Sequence, residues 1–392
     1  MKVISDIKDY DLKNAKVLVR VDYDVKMENG KVISDNRMKA SLDTIKYLRE
    51  KGAKLILMSH LGRPDGKAVK EMSLLPVAEH LAEILGVNVS FAPDIMSEQT
   101  KKMIDVLDNG DILLLENLRY YAGEEGNDEE FAKRLSSFAN IYVNDAFATS
   151  HRAHASMDAV PRILDNSYAG FQLQREVENL SKITDNPKRP LVAIIGGKKV
   201  SDKVKVLENF LKFVDIILVG GGAANVFLAS QDYEIGDSFV EDDLLDFADD
   251  LLSKAESMGV QIIIPSDVVV AKKVDNGQKT ETKDVVEVDK DDIIVDIGPE
   301  TVESFKEPIE FAGTIVWNGP LGIFEFENFK KGNDSVAELI ADSGAFTLIG
   351  GGDTIAGLPK GLKEKYSYMS TAGGATLDFL AGKKLPGIEA VK

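Results

Sequence analysis

Short apolar runs that do not alternate, separated by longer amphipathic stretches, place the strongest limit on how this chain can fold. The runs are residues 17–21, 55–58, 112–115 and 141–143, and then 191–195, 216–219, 262–264, 314–317 and 346–349. A strand with one wet face alternates apolar and polar residues, whereas a strand apolar on both faces needs cover on both. The stretches between the runs, such as 74–85, carry apolar residues at spacings of three and four and so supply covering helices. Repeated strand and helix imply an α/β fold with doubly wound parallel sheets flanked by helices. A chain of 392 residues exceeds one ordinary core, so two domains are expected.

Residues 169–183, AGFQLQREVENLSKI, place Leu173, Val177 and Leu180 on one helical stripe between Pro161 and Pro187. This stretch reads as a helix that joins the two domains and carries a hinge. Residues 272–292 are densely charged and are expected to form a solvated excursion.

The net charge of −18 repels nucleic acid and anionic membranes. The acidity is concentrated in the second half, so an arginine cluster for an anion is easier to place in the first. The chain has no cysteine, which removes disulfides, thiolate catalysis and cysteine zinc sites. Its first residues are broken by charges, unlike a signal peptide, and its apolar runs are too short to span a bilayer. A cytoplasmic location is expected.

In open α/β sheets ligands bind beyond the carboxyl ends of the strands, so the residues just after each run carry the chemistry. In the first half these are charged and polar: Asp22 and Asp24; Ser59, His60 and Arg63; Glu116, Asn117 and Arg119; Asn144, Asp145, His151, Arg152 and His154. In the second half they are glycines: Gly196-Gly197 with Lys199, Gly220-Gly221-Gly222, and Gly350-Gly351-Gly352 with Asp353, while Gly373-Gly374 opens the last helix. Glycines at a strand-to-helix turn let backbone N–H groups approach phosphate. Arginine pairs bidentately with carboxylate and phosphate. Together the two sets suit transfer of a phosphoryl group from a nucleotide to a small anionic acceptor. No G-x-x-x-x-G-K-[ST] is present, and Gly220-Gly221-Gly222-Ala223-Ala224-Asn225 does not complete G-x-G-x-x-G.

The segments RVDYDV (20–25), SDNRMKASLDTIKYL (34–48), MSHLGRP (58–64), ENLRYYAGEE (116–125) and VNDAFATSHRAHASM (143–157) resemble the phosphoglycerate kinase family. So do IGGKKVSDK (195–203), GGGAANVFL (220–228), DIGPET (296–301), VWNGPLGIFE (316–325), GGGDT (350–354) and STAGGATLDFLAGKKLPG (370–387). The resemblance implies a phosphoglycerate-binding domain at 1–168, a joining helix at 169–184, a nucleotide-binding domain at 185–370, and a segment at 371–392 that returns to the first domain. It implies magnesium-dependent phosphoryl transfer between ATP and the carboxylate of 3-phosphoglycerate, by a monomer. Asp22, Asp24, Arg37, His60, Arg63, Arg119 and Arg152 would bind the acid. Gly197, Lys199, Lys203, Gly221, Asn318, Pro320, Glu325, Gly351, Gly352, Asp353 and Thr354 would line the nucleotide site, with Glu325 toward the ribose and Asp353 toward magnesium. Arg37, Lys199, Gly352 and Gly374 would form the catalytic set.

The chain departs from the family pattern at Asp24, where asparagine is usual, at Lys198, where alanine is usual, and at Ala148 and Ala372, where glycines are usual. Asp24, Lys198 and Ala372 favour an alternative, a degenerate kinase kept as a nucleotide-binding protein, while Arg37, Lys199, Lys203 and Asp353 argue for an active one. A dehydrogenase or ligase on a similar scaffold lacks its fingerprint or its third substrate site. Elsewhere ordinary roles are expected: His80 within a helix, Trp317 in the core, Gly236 and Gly259 at turns or helix ends, and the aspartates of 242–250 on a solvated helix face.

Overall fold

The computed structural model describes residues 1–392, apart from the side chain of Tyr10. The chain forms two compact units, Met1–Val177 with Lys384–Lys392, and Glu178–Lys383.

The first unit holds six parallel strands, Lys16–Val21 (β1), Lys54–Met58 (β2), Val89–Ala92 (β3), Ile112–Leu115 (β4), Ile141–Asp145 (β5) and Ser167–Ala169 (β6), in the order β3-β4-β2-β1-β5-β6. The central strands are buried along almost their whole length, as their unbroken apolar character requires. Helices Leu42–Glu50 (α1), Leu75–Leu85 (α2), Glu98–Asp105 (α3) and Glu129–Ser136 (α4) supply the cover. Their ends carry local signals. Ser97 and Asp128 accept from Thr100 N and Phe131 N to start α3 and α4, and Gly86 ends α2 at φ +66. The core joins Val17, Val19 and Val21 of β1 to Ile45, Leu48, Val77 and Leu81 of the helices. Strand order reverses between β1 and β5, which opens a crevice at their carboxyl ends.

Helix Phe171–Thr184 (α5) lies where the joining helix was expected, and the division between the units falls inside it. The second unit has strands Leu191–Ile195 (β7), Ile216–Val219 (β8), Gln261–Ile263 (β9), Asp267–Ala271 (β10), Glu281–Asp284 (β11), Ile293–Ile297 (β12), Thr314–Asn318 (β13), Phe346–Gly350 (β14) and Tyr368–Ser370 (β15). Six of these form a parallel sheet in the order β9-β8-β7-β13-β14-β15, which reverses between β7 and β13. Its helices are Val204–Phe210 (α6), Gly221–Ser230 (α7), Leu245–Met258 (α8), Pro299–Glu310 (α9), Lys331–Asp342 (α10), Gly352–Ala356 (α11) and Gly374–Leu380 (α12). Trp317 is fully buried at the centre of this core, and its Nε1 donates to Gly319 O at 2.7 Å.

Two expectations need correction. Residues 272–292 are not simply a solvated excursion: β11 pairs antiparallel with β10, which pairs antiparallel with β12, in a separate three-stranded sheet. Some of the charges there are partnered. Lys283 reaches Asp289 and Asp292, both at 2.7 Å, Lys272 reaches Asp292 at 2.9 Å, and Asp292 is buried. Burial pushes the Asp292 carboxyl up, but Lys272 and Lys283 hold it at about 2. Residues 371–383, expected with the returning segment, stay with the second unit, where α12 packs on α6 and Asn209 Nδ2 donates to Leu380 O. Only Lys384–Lys392 joins the first unit, through Lys2 N to Val391 O, Gly387 N to Ser150 O and Asn144 Nδ2 to Gly387 O.

Buried aspartates start two of the helices. Asp145 Oδ1 accepts from Gln172 N at 2.8 Å at the head of α5, against Gly170, where a Cβ would collide with that carboxylate. Asp296 accepts from Gly332 N at 2.6 Å and Asn333 N at 3.2 Å at the head of α10. Helix termini favour the anion. Burial nevertheless wins, and both carboxyls are pushed up to about 7. A carboxyl whose folded pKa lies above its unfolded value of 3.8 contributes stability that is complete below 3.8 and is lost as pH rises through about 7. The melting temperature is therefore expected to fall as pH rises from about 6.5 to 8.5, and the Asp145→Asn/Asp296→Asn variant should show a flatter profile over that window. Thermal melts across the window check this, and a parent profile that is flat or rising would contradict it.

Candidate functional site

Each unit gathers chemistry at the crevice where its strand order reverses. In the first, β1 delivers Asp22 and Asp24, the short helix Asn36–Ala40 delivers Arg37, β2 leads to His60 and Arg63, β4 to Arg119, and β5 to Arg152 and His154. Arg37 Nη1 donates to Asp24 O at 3.0 Å and pairs with Asp22 Oδ2 at 3.3 Å. Burial raises the Asp22 carboxyl, with Arg37 and Arg20 opposing. Asp24 Oδ1 accepts from Gly62 N at 2.9 Å, and its other oxygen lies 3.8 Å from both His60 Nε2 and Arg37 Nη1. An asparagine could accept the same Gly62 bond, so the local fold tolerates the departure while the site gains a negative charge.

Arg119 is buried, donates to Gly62 O at 2.7 Å and pairs with Glu125 at 3.1 Å. Its Nη2 is buried without a hydrogen-bond partner, as is His154 Nδ1. Arg152 Nε donates to His151 Nε2 at 3.3 Å, and Arg63 stands exposed on the same loop as His60.

Beneath these residues lies one the motif reading did not assign. Arg20, inside β1, is fully buried. Its Nε donates to Ser156 Oγ at 3.0 Å, and Ser156 Oγ donates to the buried Glu124 at 2.6 Å. Arg20 also donates to Val21 O, and its Nη2 lies 3.0 Å from His60 Nδ1. A guanidinium only donates, so Nδ1 accepts and the neutral ring carries its proton on Nε2. Burial, and then the charges of Arg20, Arg119 and Arg152, push His60 well below the usual imidazole range. Burial and the same three arginines, Arg119 first, hold His154 at about 3. Both imidazoles are therefore neutral near pH 7, among the charges of Arg20, Arg119 and Arg152. The sequence signal for Arg20 was an arginine within an otherwise apolar run, since such a charge must have a buried partner.

In the second unit the backbones of three strand-end loops interlock. Gly197 N donates to Pro320 O at 2.7 Å, Gly196 N to Asn318 O, Gly221 N to Leu321 O, and Ala223 N to Gly197 O. A Cβ on Gly319 would collide with Gly196 O, and one on Gly221 with Pro320 O, so the approach requires glycine. Lys203 is buried, and its Nζ donates to Lys199 O at 3.2 Å. Burial lowers its pKa, opposed by Asp202, Glu241 and Asp353. Lys199 is exposed on the same loop.

At the end of β13, Asn318 Nδ2 donates to Gly350 O at 3.0 Å. Thr354 Oγ1 donates to the same carbonyl and accepts from Gly319 N. Gly351 adopts φ +96 to open α11. A Cβ on Gly352 would meet only open space, and the Asp353 carboxylate stands exposed beside it with no side-chain partner among the described residues. One hard oxygen ligand in open space next to a glycine turn is a donor of the kind that fits magnesium, which takes few protein ligands. Gly374 begins α12, where Ser370 Oγ and Thr376 Oγ1 lie 2.8 Å apart, and Glu325 is exposed beyond β13. Ala372 is accommodated outside the left-handed backbone region.

Comparison with known proteins meets this geometry. Residues 7–383 match the family model described as phosphoglycerate kinase. A phosphoglycerate kinase of Dictyoglomus turgidum is 47% identical over 389 residues, covering 99% of this chain and 98% of the relative. One of Chloroherpeton thalassium is 46% identical and covers 98% of each. The solved phosphoglycerate kinase of Coxiella burnetii superposes with a TM-score of 0.91 at 42% identity, covering 99% of this chain and 98% of that one. That of Pyrococcus horikoshii superposes at 0.84 and 33% identity, covering 100% and 98%. With both crevices built and a match along nearly its whole length, the chain belongs to the phosphoglycerate kinase family.

Proposed function

We propose that the chain catalyses reversible, magnesium-dependent phosphoryl transfer between ATP and the carboxylate of 3-phosphoglycerate, forming ADP and 1,3-bisphosphoglycerate directly and without a covalent enzyme intermediate. The observation that carries the acid side is the buried Arg119 guanidinium, with an unpartnered Nη2 in a field shared with Arg20 and Arg152. Glu125 meets this guanidinium at Nε, and a buried Nη2 donor left without an acceptor is costly. In this reading Arg63, Arg119 and Arg152 take the substrate's phosphate and carboxylate, and neutral His60 donates from Nε2. Asp22 holds Arg37 in place.

The acceptor carboxylate is already ionised at neutral pH, so no base has to remove a proton. That suits a site whose histidines are held neutral and act as donors. Catalysis then consists of positioning and charge stabilisation. Lys203 and Lys199 take the nucleotide phosphates, with the backbone N–H groups of Gly352 and Gly374, while Gly197, Gly221 and Gly351, whose N–H groups are engaged within the fold, let the loops approach closely. Asn318, Pro320 and Thr354 shape the wall, and Glu325 meets the ribose. Asp353 would hold magnesium, which when bound neutralises charge on the phosphates. Arg37 and Lys199 stabilise the moving phosphoryl group. Domain closure about residues 169–184 and the returning C-terminal segment belongs to the proposal, as do a monomeric state and a cytoplasmic location.

A coupled assay of ATP-dependent phosphorylation of 3-phosphoglycerate tests this reading. Arg37→Ala is expected to lower turnover at least about a hundredfold with the fold retained by circular dichroism. Near-parental turnover in the folded variant would remove the assignment. Asp24→Asn keeps an acceptor for Gly62 and deletes a charge near the substrate anion. It is expected to lower the KM for 3-phosphoglycerate by about threefold, as a single charge a few ångströms away in wet surroundings would. An unchanged or higher KM would place Asp24 outside the reach of the acid.

A further inference from the structure

The second unit contains a support that no motif pointed to. The loop 197–203 carries both lysines of the proposed phosphate site, and the side chain of Val200 at its middle is buried. The backbone N–H groups there are held by Glu241. Oε2 accepts from Val200 N at 2.6 Å and Ser201 N at 3.1 Å, and Oε1 accepts from Ser201 Oγ at 2.5 Å. A second tie lies two residues away, where Lys198 places its ammonium 4.7 Å from the centre of the Phe239 ring.

The segment that makes these contacts is itself anchored. Asn225 of α7, almost wholly buried, donates to Phe239 O at 3.0 Å. Ser238 Oγ accepts from Ile294 N of β12 at 2.8 Å, Asp237 N donates to Asp292 O at 2.7 Å, and Gly236 bridges Ile293. Asp292 is in turn fixed by Lys272 and Lys283. A continuous line of contacts thus runs from the small antiparallel sheet through residues 236–241 to the lysine loop. Burial tends to raise the Glu241 carboxyl, but the Ser201 hydroxyl and the two backbone N–H groups bring it below its usual value.

We propose that Glu241 is a positioning residue for nucleotide phosphate binding, and that it sets the conformation of residues 198–203 from the small sheet without touching the nucleotide. The inference rests on the reading that Lys199 and Lys203 meet the phosphates. It makes an uncommon prediction of sign. Glu241 is an anion beside a site for anions, so if it acted only through charge its removal would tighten nucleotide binding. If it positions the loop, its removal weakens binding.

Calorimetric titration of the full-length protein with ADP and, separately, with adenosine distinguishes the two. Glu241→Ala is expected to weaken ADP binding about tenfold, since three bonds to a charged acceptor are lost, and to leave adenosine binding within twofold. Glu241→Gln removes the charge but keeps one acceptor oxygen for Val200 N and Ser201 N, while its amide nitrogen can donate to Ser201 Oγ, and it should bind ADP at least as tightly as the parent. Ser201→Ala, which removes one of the three bonds, should weaken ADP binding about threefold and serves if Glu241→Ala does not fold. In the coupled assay the KM for ATP should rise in Glu241→Ala while the KM for 3-phosphoglycerate stays within twofold. ADP binding at or above parental strength in folded Glu241→Ala, or equal losses for ADP and adenosine, would overturn the proposal. Lys203→Ala is the control for the underlying reading. If it binds ADP like the parent, the lysines do not meet the phosphates, and the proposal falls with that reading.

Discussion

An ionised side chain taken out of water must meet its partners inside the fold, and that constraint organises this protein. Arg20 is the clearest case. It sits near the carboxyl end of a strand covered on both sides, and three acceptors around it receive its N–H groups. Ser156 passes the charge on to Glu124, Val21 offers a carbonyl, and His60 offers the one nitrogen able to accept. Through that last contact a requirement of folding becomes a property of the site, because it settles which nitrogen of His60 faces the crevice. Asp145 and Asp296 apply the same logic at helix heads, and Asp292 applies it with two lysines.

The second unit adds a constraint of shape. Three loops come so close at the reversal of strand order that backbone carbonyls occupy the places where side chains would begin. Glycine is therefore required at Gly196, Gly221 and Gly319 for packing, before any ligand is considered. The N–H groups that remain near the surface are available to phosphate as a consequence. The two crevices use opposite means. One concentrates long charged side chains over a buried ionic base, and the other strips side chains away.

Much of this was legible in the sequence, and the limits have a physical pattern. The strand runs, the order of charged and glycine-rich strand ends, and the family resemblance all rest on residues close together in the chain. What escaped depends on distant pairs. Arg20 meets Ser156 across 136 residues, and Glu241 meets Ser201 across 40. No local period announces such a bond. The charged stretch at 272–292 misled for a related reason. Most of it is exposed as its charges suggest, but the antiparallel pairing of β10 with β11 and β12 and the burial of Asp292 between Lys272 and Lys283 join residues distant in the chain. Asp24 read as a departure from the family pattern, yet it has a local role in holding the Gly62 amide.

The first unit is discontinuous, and this bears on how the protein is made. Residues 384–392 supply the carbonyls of Gly387 and Val391 that receive Asn144 and Lys2. On the ribosome every residue of the second unit emerges before those last contacts of the first can form. The unit translated first is thus completed last, and until then Asn144, buried beside the arginine crevice in the finished fold, has to wait for its carbonyl. A chain of this order can close its first unit only after the whole of its second has emerged.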